Sequence, residues 1–165
     1  HLPGSEGLDA SWRELGRDWL GGYGLEDRLD EFAAEADRRA YDPAHGWFAA
    51  YPDVAPALRE MRSRGLRLAV ISNWDASLHR ILRVNGLTEF FEVVTASLEF
   101  GVEKPDPRIF HHTLERLGAR PEETVHVGDL VEDDVVGAEA AGLRAIHIDR
   151  KNGPVRSLAD VLSLL

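Results

Sequence analysis

From residue 52 onward, short apolar runs alternate with amphipathic stretches, and that alternation confines the chain to a parallel sheet wrapped by helices. Leu66 to Ser72 (LRLAVIS) is almost continuously apolar, the pattern of a strand buried on both faces. Glu92 to Ala96, Thr124 to Val127 and Leu143 to Ile148 supply three further strands. Between them the spacing predicts helices over 75–85, 106–117 and 132–141, with one before the first strand and one after residue 157. Asp106-Pro107 is a strong helix start, aspartate as N-cap and proline in the first turn. Gly65, Gly86 and Gly118 are the matching stops. Strand–helix–strand units of this kind join by right-handed crossovers and put helices on both faces.

The stretch before residue 42 has a different character. Trp12, Leu15, Trp19 and Leu20 recur at helical spacing, as do Leu25, Leu29, Phe32, Ala33 and Ala36. Gly21, Gly22 and Gly24 separate the two runs into an antiparallel helix pair. Residues 41–46 read as a linker. Trp12, Trp19, Trp47 and Phe48 are helix-face aromatics and are expected to pack in a core rather than line a pocket.

Composition narrows the function. A 165-residue chain with 44% hydrophobic and 29% charged residues suits one ordinary globular core. The formal charge of -10 offers no basic patch for nucleic acid. The absence of cysteine excludes disulfides, thiolate metal sites and cysteine nucleophiles, and is compatible with a cytoplasmic protein. No apolar run reaches the roughly 18 residues of a membrane span.

In parallel sheets, sites form where the chain leaves the carboxyl ends of the strands. Three such ends carry chemistry here. At Ile71-Ser72-Asn73-Trp74-Asp75 a hydroxyl and free amides precede a helix, an arrangement that binds anions, although Ser72 or Asp75 could equally cap that helix. At Gly101-Val102-Glu103-Lys104-Pro105-Asp106-Pro107, one of only two lysines stands on a backbone stiffened by two prolines. The alternative there is a solvated loop lysine. At Val127-Gly128-Asp129-Leu130-Val131-Glu132-Asp133-Asp134, four carboxylates follow a glycine turn. They suit magnesium, a hard cation that prefers oxygen, or simply the positive end of a helix dipole. Asp129, which precedes the helix, is not explained by the dipole. A hydroxyl, a lysine and a carboxylate pair at successive strand ends make a phosphate clamp beside a metal site.

These motifs carry a resemblance. Residues 51–148 resemble the haloacid dehalogenase (HAD) superfamily: Ile71-Ser72-Asn73 is similar to its second motif, Lys104-Pro105-Asp106-Pro107-Arg108-Ile109-Phe110 to its third, and Gly128 to Asp134 to its fourth. Tyr51-Pro52-Asp53-Val54 and Ile71 to Asp75 look closest to the subfamily around haloacid dehalogenase-like domain-containing protein 3. The resemblance implies an α/β, Rossmann-like core over residues 49–165, with residues 1–48 the C-terminal part of a helical cap. It implies that Ser72 and the amide of Asn73 bind phosphoryl oxygens and that Lys104 balances charge on nucleophile and phosphate. Asp129 would be a magnesium ligand, with Asp134 the second acid, directly or through water. Asp133 competes with Asp134 for that role.

The family's first motif, two aspartates after the first core strand, does not occur upstream of residue 41. The expectation is that several dozen residues precede His1 and bring that strand, the nucleophile and the acid/base. The strand would lie between the one ending at Ser72 and the one ending at Asp129, and residues 1–165 without it are expected not to fold stably. The implied activity is magnesium-dependent hydrolysis of small phosphorylated metabolites through an aspartyl-phosphate. The alternatives are hydrolytic dehalogenation, a non-catalytic HAD-like domain, and a flavodoxin-like receiver domain, which the helical segment and motif order disfavour.

Overall fold

In a computed structural model that describes residues 5–44 and 46–165, with side chains from residue 13 onward, the strand–helix alternation is realised as three layers. Strands β1 (Ala69–Ser72) and β2 (Val93–Ala96) pair in parallel, Ser72 opposite Ala96. Strands β3 (Val125–Gly128) and β4 (Arg144–His147) form a second parallel pair, Gly128 opposite His147. Among the described residues the two pairs are separate sheets, and β1 and β3 share no ladder.

Two apolar clusters fix the helices to the strands. On one face Leu58 and Met61 of α3 (Val54–Ser63), Leu78 and Leu82 of α4 (Ser77–Val84) and Val161 of the C-terminal helix pack with Ala96 and Ile146. Val70, Val125 and Val127 lie against that same cluster, so both sheets share it. On the other face Ile109, Phe110 and Leu114 of α6 (Pro107–Leu117) meet Ala138 of α7 (Gly137–Ala140), with Ile71 against them. The short α5 (Ser97–Phe100) directly follows β2, and a turn of π-type helix, Val131–Val136, leads into α7. The chain closes with α8 (Leu158–Leu162), opened by a capping box between Ser157 and Asp160.

Local signals account for these boundaries. Asp106 caps α6 by accepting from Arg108 N at 2.9 Å, and Gly118 ends it with φ +64, a conformation favourable to glycine. β1, β2 and β4 are shorter than the apolar runs predict, and β3 keeps the predicted length one residue further on. More informative, β1 and β3 are only half-buried along their length, whereas β1 was expected to be buried on both faces; β2 is mostly buried. Pairing alone does not separate them, because every strand has one ladder neighbour among the described residues; β2 is covered in addition by α5, which packs on it.

The N-terminal helices α1 (Ser5–Gly21) and α2 (Leu29–Tyr41) form the expected hairpin, with Leu20 and Leu29 buried where they meet and Ala40 buried near the end of α2. The aromatic expectation fails in part. Trp19 is 64% exposed because the seam of a two-helix hairpin is narrow and Trp19 falls off it, and Trp47 is 71% exposed because it stands in a turn after α2 and not on a helix; Trp12 lies outside the described side chains. Phe48 does pack, edge-on to Trp74 at 5.5 Å and against Tyr41 at 5.6 Å. Asn85, at the end of α4, holds the linker: it accepts from Ala50 N at 2.7 Å and donates to Phe48 O at 2.9 Å. Arg80 of α4 ion-pairs with Asp37 of α2 and lies 3.8 Å over the Tyr41 ring.

Candidate functional site

The carboxyl ends of β1 and β3 and the loop after α5 converge on Lys104. Its backbone is held from below: Lys104 N donates to Asn73 Oδ1 at 2.8 Å, and Asn73 Nδ2 donates to Lys104 O at 3.0 Å. One carboxamide thus occupies both polar groups of the residue. Its side chain is 10% exposed, and Nζ lies 2.5 Å from Asp134 Oδ1. A solvated loop lysine would show neither feature. The rigid proline-flanked loop is further seated by Gly137: a Cβ there would lie 2.9 Å from Pro105 Cα.

Asp134 is the electrostatic centre of the site. It is 3% exposed, and both oxygens are in use. Oδ1 faces Lys104 Nζ and, at 3.0 Å, His126 Nε2; Oδ2 accepts from Leu130 N at 2.9 Å. Burial alone would raise its pKa, but the hydrogen bonds from His126, Lys104 and Leu130 outweigh that and hold the carboxyl well below the usual carboxylate range. Gly128 makes the arrangement possible. Any Cβ on it would sit under 3.0 Å from Asp134 Cγ, Oδ2 and Cβ, so the glycine is the hollow that receives this carboxylate.

The remaining acids divide by position. The Asp129 carboxylate is exposed and makes no hydrogen bond or ion pair among the described residues; only its backbone oxygen is engaged, 3.1 Å from His147 Nε2. Asp133 is partly buried and accepts from Asn73 Nδ2 at 3.3 Å, which ties the β3 end to the β1 end. Glu132 points to solvent. Ser72 is half-buried at the end of β1, and its hydroxyl has no side-chain partner among the described residues. Asp75 accepts from Ser77 N at 2.7 Å in the turn that leads into α4.

The structure therefore gathers Asn73, Lys104 and Asp134 into one connected network and sets Ser72 and Asp129 at its margin. Magnesium takes oxygen ligands, and Asp129 offers one unencumbered carboxylate while Asp134 offers none without surrendering a donor. Among the described residues no group of three or more His, Asp or Glu side chains converges to hold a metal. His126 is a contact the sequence motifs did not single out. A signal was present: in Val125-His126-Val127-Gly128, residues 126 and 128 share a face of the strand, and Gly128 faces Asp134.

Comparison with known proteins gives the same outline. A family model described as haloacid dehalogenase-like hydrolase matches residues 6–142. A phosphoserine phosphatase of Thermus thermophilus is 39% identical over 155 residues, covering 90% of this chain and 60% of that protein. A haloacid dehalogenase-like hydrolase domain-containing protein 3 of Danio rerio is 33% identical over 153 residues, covering 90% of this chain and 62% of that protein. Among solved structures, a HAD phosphatase from Thermococcus onnurineus superposes with a TM-score of 0.70 at 27% identity, over 96% of this chain and 90% of that one. The chain spans less than two thirds of the length of these two curated relatives.

Proposed function

Because the chain belongs to the haloacid dehalogenase-like hydrolase family, on the side of domain-containing protein 3, we propose that it forms most of a magnesium-dependent phosphatase of small phosphorylated metabolites. One observation carries the proposal: a nearly buried Lys104 ammonium is anchored by Asp134, and among the described residues the Ser72 hydroxyl at the end of β1 and the Asp129 carboxylate at the end of β3 have no partner. Phosphoryl transfer needs little covalent chemistry beyond the nucleophile; it needs charge stabilisation and positioning, and this arrangement is built for both.

Each residue has a definite part in this reading. Ser72 Oγ and the Asn73 amide bind phosphoryl oxygens at the start of α4. Lys104, with two N–H groups beyond the one given to Asp134, balances charge on the nucleophile and the phosphoryl group. Asp129 would be a direct magnesium ligand, and the ion would neutralise charge on the phosphoryl oxygens. Asp134, with every oxygen engaged, would serve as the second acid indirectly, by orienting Lys104, which leaves Asp133 as the acid facing the metal side.

The nucleophilic aspartate and the general acid/base belong, in this proposal, to a strand seated between β1 and β3. The unpaired inner edges and the half-burial of both strands support it. Residues 1–48 would be the last part of a cap over the site and residues 49–165 the core, the boundary falling in the linker that Asn85 holds. Among the described residues no helix is long and apolar enough to cross a membrane; a cytoplasmic enzyme is part of the proposal, and the cysteine-free sequence is compatible with it.

The test is magnesium-dependent phosphate release from p-nitrophenyl phosphate by the natural full-length polypeptide. Asp129→Ala is expected to abolish it, and EDTA to suppress it reversibly. Turnover that survives EDTA would refute the phosphatase reading in favour of metal-free hydrolysis such as dehalogenation.

A further inference from the structure

The Lys104–Asp134 pair has a third member. His126 stands on β3 with its ring edge-on to the fully buried Phe110, centroids 5.1 Å apart and planes at 86°. Its side chain is 12% exposed, and Nε2 lies 3.0 Å from Asp134 Oδ1. An ionised carboxylate can only accept, so the hydrogen on this contact belongs to His126 Nε2.

The geometry gives that hydrogen bond a specific consequence. Asp134 Oδ2 is fixed by Leu130 N, and a carboxylate held by one oxygen still pivots about that bond. His126 removes the remaining freedom from Oδ1, the oxygen that Lys104 Nζ approaches at 2.5 Å. Lys104 has a flexible four-carbon stem, so its ammonium settles wherever Oδ1 is held. Asn73 already fixes the other end of the residue through both backbone groups. We infer that His126 is a positioning residue: its Nε2–H locks the Asp134 carboxylate and thereby aims the Lys104 ammonium at the phosphoryl group. The inference rests on the phosphoryl-transfer reading of the site, but its first readout does not.

The Lys104 side-chain ammonium signal of the folded full-length protein is assigned as the one lost on Lys104→Arg substitution. His126→Phe preserves an aromatic ring against Phe110 and deletes the donor; His126→Gln keeps an N–H near the Nε2 position and deletes the ring. The Lys104 ammonium signal is expected to persist unshifted in the glutamine variant, and to shift or broaden away in the phenylalanine variant. Turnover of p-nitrophenyl phosphate should follow: kcat about 10-fold lower in His126→Phe with a smaller change in KM, and restored to within about threefold by glutamine.

A purely structural histidine predicts the reverse order, with phenylalanine better than glutamine, and that result overturns the inference. So does an unshifted ammonium signal in His126→Phe. His126→Val, which removes bulk instead of adding it, makes the same comparison with glutamine if the phenylalanine variant does not fold. Should the parent protein release no phosphate, the phosphatase reading falls while the ammonium signals still decide the role of His126.

Discussion

Gly128→Ala isolates the steric logic of the site. Gly128 is not among the glycines with positive φ, so alanine meets no backbone penalty there. The whole effect comes from one methyl-sized group in the hollow that holds Asp134. A Cβ under 3.0 Å from three atoms of that side chain cannot be accommodated by a flexible tip, because Cβ and Cγ are the root of a short residue and Asp134 is 3% exposed. The carboxylate must leave the hollow and, with it, the donors on Leu130, His126 and Lys104. Overpacking alone costs about 1–3 kcal/mol, and breaking a buried ion pair about 3–5 kcal/mol. Part of the second figure is recovered if Lys104 swings out to water, which leaves a net loss of about 3 kcal/mol. For a chain of this size that corresponds to a fall in Tm of roughly 6–12 °C.

Thermal unfolding of the natural full-length polypeptide, followed by circular dichroism, measures it against two controls. Gly21 ends α1 with nothing within 4 Å of a built Cβ and without positive φ, so Gly21→Ala should be neutral or stabilise by up to about 1 kcal/mol. Gly101 has the same open space but φ +86, and alanine there should cost about 1–2 kcal/mol from backbone conformation alone. The expected order of melting temperatures is Gly21→Ala, then Gly101→Ala, then Gly128→Ala. A Gly128→Ala protein that melts within about 1 °C of its parent would refute the claim that this glycine exists to receive Asp134.

Other perturbations bear on separate joints. Asn85→Ala removes hydrogen bonds to Ala50 N, Phe48 O and Ile81 O together, and should destabilise by about 1–3 kcal/mol, read as a lower midpoint in urea with the slope unchanged. Gly137→Ala presses on Pro105 and should lower Lys104-dependent turnover more than it lowers Tm; equal loss in both would count against a seating role for this contact. The hydrogen bonds from Arg108 lower the Asp106 pKa from 3.8 to about 2. A carboxyl with a depressed folded pKa contributes stability above its unfolded value and loses it as pH falls through the folded one. The advantage of the parent over Asp106→Asn should therefore be complete above about pH 4 and be lost as pH falls through about 2 in paired melting curves. An advantage that stays at its full size below about pH 2 would mean that α6 is not stabilised by the ionised cap.

Different kinds of signal set what was legible in the sequence. The α6 boundaries were readable because Asp106, Pro107 and Gly118 act locally, through a cap, a fixed φ and a left-handed turn. The parallel strands were readable from short apolar runs, and with them the positions of Ser72 and Asp129 at the ends of β1 and β3; that α5 stands between β2 and the Lys104 loop was not. The burial of β1 was not, since an apolar strand has the same composition with one neighbour or two. The exposure of Trp19 has a related reason: periodicity tells which residues share a helix face, but not whether anything covers it; Trp47 differs because it lies in a turn and on no helix face at all.

The separate places of Asp133 and Asp134 show most clearly where local reading ends. Adjacent acids at a helix start are equivalent to the helix dipole, and either satisfies a motif. They become different because the chain leaves β3 through a π-type turn and because Gly128 opens one hollow beneath it. The residue that falls over the hollow is buried, accepts three donors and anchors Lys104; its neighbour stays at the rim and meets Asn73. The same hollow explains why a histidine stands two residues earlier on that face. A carboxylate lodged against the strand at position 128 comes within reach of a side chain at 126, and only a residue with both an apolar flank for Phe110 and a donor at its tip serves both neighbours. Glycine, histidine, lysine and aspartate are thus parts of one device, separated in sequence and joined by the pleat of β3.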